Sequence, residues 1–296
     1  MPDGIAVIDK PAGWTSHDVV AKARGVLGTR KVGHSGTLDP DATGVLVLGV
    51  GRATRLLRYL TELSKSYEAE IVLGVETDTL DSTGRVTARH DMADVSAEQA
   101  RQAAAALTGD ILQVPPMVSA VKVGGRRLHT LARAGIEVER DARPVTVHRF
   151  DVEPVPGAEA VLRALVDCSS GTYVRVLAAD LGRALGGGAH LRNLRRTAVG
   201  SFGLASARPV ESAEVMPMAQ AVKHLAGVRV SAAVAAEVAH GRVLDLDRLG
   251  VAEDLEAGAG PGPWAVHDSE GELLAVYERY REGAKPAVVV VSGPGS

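Results

Sequence analysis

The run Gly33-His34-Ser35-Gly36-Thr37-Leu38-Asp39-Pro40-Asp41-Ala42-Thr43-Gly44 gathers the residues best able to do chemistry, directly before the apolar segment Val45-Leu46-Val47-Leu48. Glycines at 33, 36 and 44 permit backbone shapes closed to other residues, and Pro40 biases Asp39 away from helix. A carboxylate on such a loop, set against a buried strand, is placed rather than merely solvated. An ionised carboxylate so placed can act as a nucleophile, as it does in retaining glycosidases. Once enclosed it needs a partner, because burying a lone charge is costly. From residue type alone His34 is a polar turn residue or a metal ligand, and no second His or Cys stands at ligand spacing to it.

Composition narrows the classes. The chain has 296 residues, 46% of them hydrophobic, which suits one large domain or two. No apolar run approaches the roughly 20 residues that span a bilayer, and the start lacks a basic stretch followed by an apolar one, so neither membrane span nor secretory signal is expected. The single Cys168 allows no internal disulfide and no cysteine cluster for zinc. A reduced, cytoplasmic setting is the expectation. The sequence holds no Walker P-loop, dinucleotide fingerprint or metal-ligand cluster, so neither cofactor nor metal is expected.

A formal net charge of -3 by itself argues against a polyanionic partner, but the distribution of charge along the chain argues for one. Residues 122–149 carry Lys122, Arg126, Arg127, Arg133, Arg140, Arg143 and Arg149 against Glu137, Glu139 and Asp141. Between 175 and 208 six arginines face Asp180 alone, and the acids collect beyond 210. Local sign, not the total, steers a nucleic acid.

Elements must position these residues. Strands are expected over 4–9, 45–50 and 67–73, and helices over 16–27, with Ser16 as N-cap, and 53–63. Ser96-x-x-Gln99 is a capping box for a helix to about 107. A strand over 118–123 runs into Gly124-Gly125 and a short basic helix to 134. Paired strands follow over 145–155 and 161–167, then an amphipathic helix over 174–185. The irregular alternation predicts a mixed α+β domain on a largely antiparallel sheet. Beyond a break at 210–230 come a helix over 231–239, a Gly/Pro loop over 258–263 and three short strands over 264–267, 273–280 and 287–291. This tail reads as a small, separable β-rich module.

Taken in order, the motifs resemble those of the TruB family of tRNA pseudouridine synthases. The 33–44 run resembles its nucleophile motif, Lys10-Pro11-Ala12-Gly13-Trp14-Thr15-Ser16 its N-terminal signature, and Lys65-Ser66-Tyr67 its tyrosine segment. Val114-Pro115-Pro116-Met117-Val118-Ser119-Ala120-Val121-Lys122 resembles its central motif, and Ser170-Gly171-Thr172-Tyr173-Val174-Arg175 its arginine segment. Gly188-Ala189-His190-Leu191 with Leu194-Arg195-Arg196-Thr197 is similar to its last catalytic signature. Any one match alone would be weak; ordered together they are specific.

The resemblance implies a pseudouridine synthase fold over 1–228, with a basic insertion at about 122–149 that closes over RNA, and a PUA-like domain over 229–296. It implies an enzyme isomerising uridine at position 55, in the T loop of tRNA, as a monomer bound to the T stem-loop. By resemblance Asp39 is the nucleophile, Arg175 its partner, and Tyr67 the ring beside the uracil with its hydroxyl near the C5 proton. His34 would enter the space left by flipped bases. Tyr173 and Leu194 would line the uracil pocket, Lys10 would serve the N-terminal loop or a phosphate, and Arg126, Arg127 and Arg133 would meet RNA. Three other readings remain at this point: a related synthase with another RNA target, a non-catalytic RNA-binding or RNA-folding protein, and a metal-dependent hydrolase using His34 and Asp39.

Overall fold

A computed structural model describes residues 3–119, 121–251 and 261–291. It opens with β1 (Gly4–Lys10), α1 (Ser16–Val26), β2 (Val32–His34) and β3 (Thr43–Val50). β1 and β3 pair antiparallel along their whole lengths. Side chains alternate between faces, and here both faces are covered. Ala6, Ile8, Leu46 and Leu48 meet Val19, Val20 and Ala23 of α1, whereas Ile5, Val7, Val45 and Val47 join a second cluster on the other side. That double burial is why these strands read as continuous apolar runs.

The start of α1 corrects the expected N-cap. Thr15 caps it, exchanging hydrogen bonds with Asp18 in a capping box. Ser16 is buried one residue further on, where its hydroxyl accepts from Leu38 N–H at 2.9 Å and donates to Leu38 C=O at 3.2 Å. The helix expected over 53–63 is a 3-10 segment, Gly51–Leu56, running into the short α2 (Leu57–Thr61).

The middle of the chain contributes β4 (Lys65–Leu73), the hairpin β5 (Val75–Thr77) and β6 (Val86–Arg89), α3 (Ala97–Ala106) and β7 (Gly109–Gln113). A second hairpin, β8 (Lys122–Val123) and β9 (Arg126–Arg127), leads into α4 (Leu128–Arg133). The strand expected over 118–123 is therefore confined to its end, and Ala120 lies outside the described residues. β10 (Arg143–Pro154) pairs with β7 and with β11 (Val161–Cys168), so residues 143–149 belong to the sheet and not to the insertion expected there. Arg149 accordingly pairs with Asp167 of β11 at 2.8 Å. After α5 (Val174–Ala184) come β12 (Ala189–Val199) and β13 (Phe202–Gly203).

These strands form a nine-stranded sheet in the order β1-β3-β12-β4-β11-β10-β7, with β2 on β3 and β13 on β12. Every pair is antiparallel except β12 with β3. Gly44 makes that parallel seam possible. Its φ is +99°, and a Cβ there would stand 2.2 Å from the Arg196 carbonyl oxygen. α3 and α5 pack on the β4–β11–β10 half through Ala100, Ala104, Leu177 and Leu181.

A second, five-stranded sheet follows. β14 (Ala226–Arg229), α6 (Ala232–Ala239), β15 (Leu244–Asp245), α7 (Leu246–Leu249), β16 (Trp264–His267), β17 (Leu273–Tyr280) and β18 (Gly283–Val289) give the order β14-β16-β17-β18-β15. β14 places the start of this sheet at 226, and β18 begins earlier than the strand expected over 287–291. The Gly/Pro loop expected over 258–263 lies outside the described residues up to 260. The tail packs against the first sheet. Ala265, Leu273, Val276, Val288 and Val290 share one buried cluster with Val45, Val47, Leu56 and Leu60. Arg55 also donates to the Val289 carbonyl at 2.6 Å. Among the described residues no helix is long and apolar enough to cross a membrane.

Candidate active site

One edge of the large sheet gathers the candidate residues. The C-terminal end of β1, the start of β3, the end of β12, the start of β4 and the end of β11 meet there, because Lys10 registers with Gly44, Gly44 with Arg196, and Arg196 with Tyr67. The loop before β3 carries Asp39, and α5 begins just beyond β11 with Arg175 in its first turn. A cavity of about 280 Å³ and a neighbouring one of about 610 Å³ open here. Asp39, Arg175 and Leu194 line both, so the carboxylate stands where the two join.

Arg175 grips Asp39 side-on. Its Nε lies 3.0 Å from Oδ2 and an Nη donates to Oδ1 at 3.4 Å. The remaining guanidinium donors go to the carbonyls of Thr79 and Val118, each at 2.9 Å, and face Asp81 at 3.5 Å. Arg175 keeps 5% of its side chain exposed and Asp39 41%, so the cation is fixed while the carboxylate remains open to a substrate. Enclosure pushes the Asp39 carboxyl above the ordinary aspartate value; Arg175 pulls it down and Asp81 adds to the rise. Asp81 itself accepts from the hydroxyls of Thr79 and Thr83 and from Thr83 N–H. Its place beside Arg175 was not visible in the linear pattern; its position in a Thr- and Asp-rich turn is the only sequence signal.

The Asp39 loop is clamped from several sides. Ser16 holds the Leu38 peptide. Lys10 is fully buried, and its Nζ donates to the carbonyls of Pro11, Trp14 and Pro40 at 2.6–2.8 Å. Of the two expected roles, the placement is that of a loop anchor and not of a phosphate contact: all three N–H groups are taken, and Lys10 ties the N-terminal loop to the residue after Asp39. Desolvation lowers its ammonium to about 8. Arg196, 2% exposed, donates to the carbonyls of Val45, Thr37 and Gly36 and reaches the Tyr67 hydroxyl. Burial raises the phenol of Tyr67, which therefore stays protonated at neutral pH.

The other expected residues fall in two groups. Tyr173 and Leu194 line the smaller cavity with Asp39, Tyr67 and Arg175. Tyr173 is oriented by Gln113, whose side-chain oxygen accepts from Tyr173 N–H at 2.8 Å and whose amide donates to Tyr173 C=O at 3.2 Å. Gln113 is 2% exposed and carried no signal in the sequence. His34 sits just before the lining segment. Its Nδ1 accepts from Gly36 N–H at 3.3 Å, its ring stands edge-on to His17 at 5.3 Å, and burial lowers its pKa, favouring the neutral ring. Arg126 is exposed on the β8–β9 hairpin, with Arg127 beside it in β9 and Arg133 ending α4.

Comparison with known proteins places the whole chain in a family. Residues 24–174 match the TruB family pseudouridylate synthase N-terminal domain, and residues 175–227 the tRNA pseudouridylate synthase B C-terminal domain. The chain belongs to the TruB family. Similar TruB proteins include the tRNA pseudouridine synthase B of Arthrobacter sp. (strain FB24), 48% identical over 98% of this chain and 97% of its own. That of Thermobifida fusca (strain YX) is 47% identical over 99% of this chain and 100% of its own. The similarity thus runs through the tail, beyond the last family domain. Among solved structures, a chain in the crystal structure of a Cbf5-Nop10-Gar1 complex superposes with a TM-score of 0.75 at 26% identity, over 98% of this chain and 85% of that one. As a TruB protein the chain makes pseudouridine in tRNA, which needs no net redox change because substrate and product are isomers.

Proposed function

We propose that this member of the TruB family converts the uridine at position 55, in the T loop of tRNA, to pseudouridine, with Asp39 as nucleophile. The observation that carries the reading is the open carboxylate of Asp39, held side-on by a buried Arg175 at the mouth of a base-sized cavity that also holds the Tyr67 ring. A uridine inside folded RNA reaches such a cavity only by leaving its stack. Tyr173, Leu194 and Tyr67 offer surfaces on which the freed uracil can turn without escaping. His34, neutral and beside the lining loop, suits occupation of the space a displaced base leaves. Asp39 can form a bond to the ribose, add to the uracil, or draw a proton from C2′; each uses the same held oxygen.

Arg126, Arg127 and Arg133 supply charge for the T stem-loop, and the C-terminal sheet adds a further contact. The test is purified protein with an unmodified tRNA transcript, without added cofactor, followed by position-resolved pseudouridine mapping. Pseudouridine at 55 alone is expected, and none from Asp39→Asn, which keeps shape and RNA binding. Modification elsewhere in the transcript would reassign the target, and a fully active Asp39→Asn would end the nucleophile assignment.

A further inference from the structure

We propose that Lys65 and Arg196 form a cationic wall that stabilises the uracil as an anion while it is detached from the ribose. The inference rests on the pseudouridine chemistry above and adds two residues to it. Lys65 and Tyr67 stand two apart on β4 and share a face. Arg196 registers opposite Tyr67 on β12. All three line the smaller cavity. Lys65 is 7% exposed and Arg196 2%, yet neither has a carboxylate within ion-pairing distance among the described residues.

The surroundings of Lys65 are otherwise neutral or positive. Its Nζ donates to the carbonyls of Thr61 and Leu63, at the end of α2, at 2.5 and 2.6 Å, leaving one N–H for the cavity it lines. Cys168 from β11 has its thiol pushed up to about 11 by burial and is uncharged. Desolvation, with repulsion from Arg196 of β12, lowers the Lys65 ammonium to about 8. Across the cavity Asp39 is already matched by Arg175. Among the described residues, Lys65, Arg175, Arg196 and Asp39 line this space; Asp81 also faces Arg175, so the unmatched cations are Lys65 and Arg196, an excess that costs stability in an empty site and is relieved when an anion enters.

The reaction generates such an anion. When the C1′–N1 bond breaks, its electron pair leaves with the base and spreads from N1 onto O2 and O4. The electron-poor C1′ is met by Asp39, either through a C1′–O bond or by accepting the C2′ proton. After the base turns, a C5–C1′ bond forms from the uracil electrons as Asp39 is released or returns its proton. C5 then loses its proton and N1 gains one, so atoms and electrons balance. Fixed donors aimed where charge develops accelerate such a step more than they help binding. A backbone phosphate is the other anion this wall could hold, and rate and affinity separate the two.

The test is single-turnover pseudouridine formation at saturating full-length enzyme, with tRNA affinity measured in parallel, for wild type, Lys65→Gln and Lys65→Arg. Lys65→Gln should lose about 100-fold in rate, the scale of one lost preorganised donor, with unchanged affinity. Lys65→Arg should restore most of the rate. With 5-fluorouridine at the target, whose uracil is a better leaving group, consumption of that residue should fall less in Lys65→Gln than it does with uridine. The wild-type rate should drop as pH rises past about 8, where Lys65 loses its proton, and Lys65→Arg should shrink that limb to the part owed to Lys10, which clamps the Asp39 loop and titrates in the same range. A wild-type rate in Lys65→Gln, or equal losses on both substrates, overturns the proposal. So does weaker binding with a shallower salt slope at unchanged rate, which would mark a phosphate contact. If Lys65→Gln does not fold, an unchanged alkaline limb in Lys65→Arg overturns it alone. Wild type that forms no pseudouridine anywhere removes the underlying reading instead, and the inference with it.

Discussion

Asp39 shows how one residue is set for its task by its neighbours. Enclosure and Asp81 raise its pKa and Arg175 lowers it, and the first influence is the largest. On the proposed role of Asp39 as nucleophile, which requires the ionised form, the rate should climb with pH through a value above the ordinary 3.8. Single-turnover rates across acidic buffers locate that limb; one at or below 3.8 would contradict the enclosure. Arg175→Lys keeps a charge but loses the planar fork that meets both carboxylate oxygens as well as two carbonyls. A rate loss of about 100-fold is expected with tRNA affinity preserved, since a displacement of about 1 Å is enough. Asp39 was legible because glycine and proline frame it locally. Asp81 and Gln113 were not, because what gives them meaning is a partner brought in from a distant strand or helix; Gln113 and Tyr173 are 60 residues apart.

At the scale of elements, the anchors of the Asp39 loop can be tested separately from its chemistry. Ser16→Ala leaves both polar groups of the Leu38 peptide without a partner in a buried place. A loss of about 1–3 kcal/mol in unfolding free energy is expected, together with a slower reaction, and urea titration reads the first. Lys10 gives a pH signature. Its folded-state value, about 8, lies below the unfolded 10.5, so between those limits the unfolded chain binds the extra proton and stability rises with pH. Lys10→Met lacks that gain, and the difference in urea midpoint between it and wild type should widen from pH 8 to 10.5; a constant difference would show that Lys10 is not desolvated. Strands and capped helices were readable wherever apolar runs had a clear period. The N-cap fell one residue off because Thr15 and Ser16 both qualify by type, and only packing against Leu38 decides between them. β12 was missed as an element because its arginines fall on both faces and its register shifts around Asn193 and Thr197 break the strand period, although it is the strand that joins the two halves of the large sheet.

Across the whole molecule, the tail is less independent than its composition suggests. The break near 210–230 and the acid-rich stretch beyond it suggest a boundary, and the second sheet begins there. The apolar residues of β16–β18 nevertheless complete a core begun by β1, β3 and the 3-10 segment. Deleting residues 226–296 should expose that face, lowering the melting temperature and raising binding of a hydrophobic dye, rather than leaving an unaffected enzyme. An unchanged melt would restore the separable module. On the proposed role of the basic insertion in meeting RNA, Arg126→Ala should reduce the slope of log affinity against log salt by about 0.7–0.9 if one phosphate contact is lost.

The grip of Arg196 on Gly36 and Thr37 also sets an order in time. The loop that presents Asp39 is made early in synthesis, but the arginine that holds its carboxylate lies 136 residues later and the one that holds its backbone 160 residues later. A nascent chain carrying only the first half of the protein thus has the Asp39 carboxylate without its support, and the site is not assembled until β12 has been made and inserted between β3 and β4. Contacts of such long sequence separation form late in folding. In a refolding experiment, activity should return together with hydrogen-exchange protection of β12 and never before it.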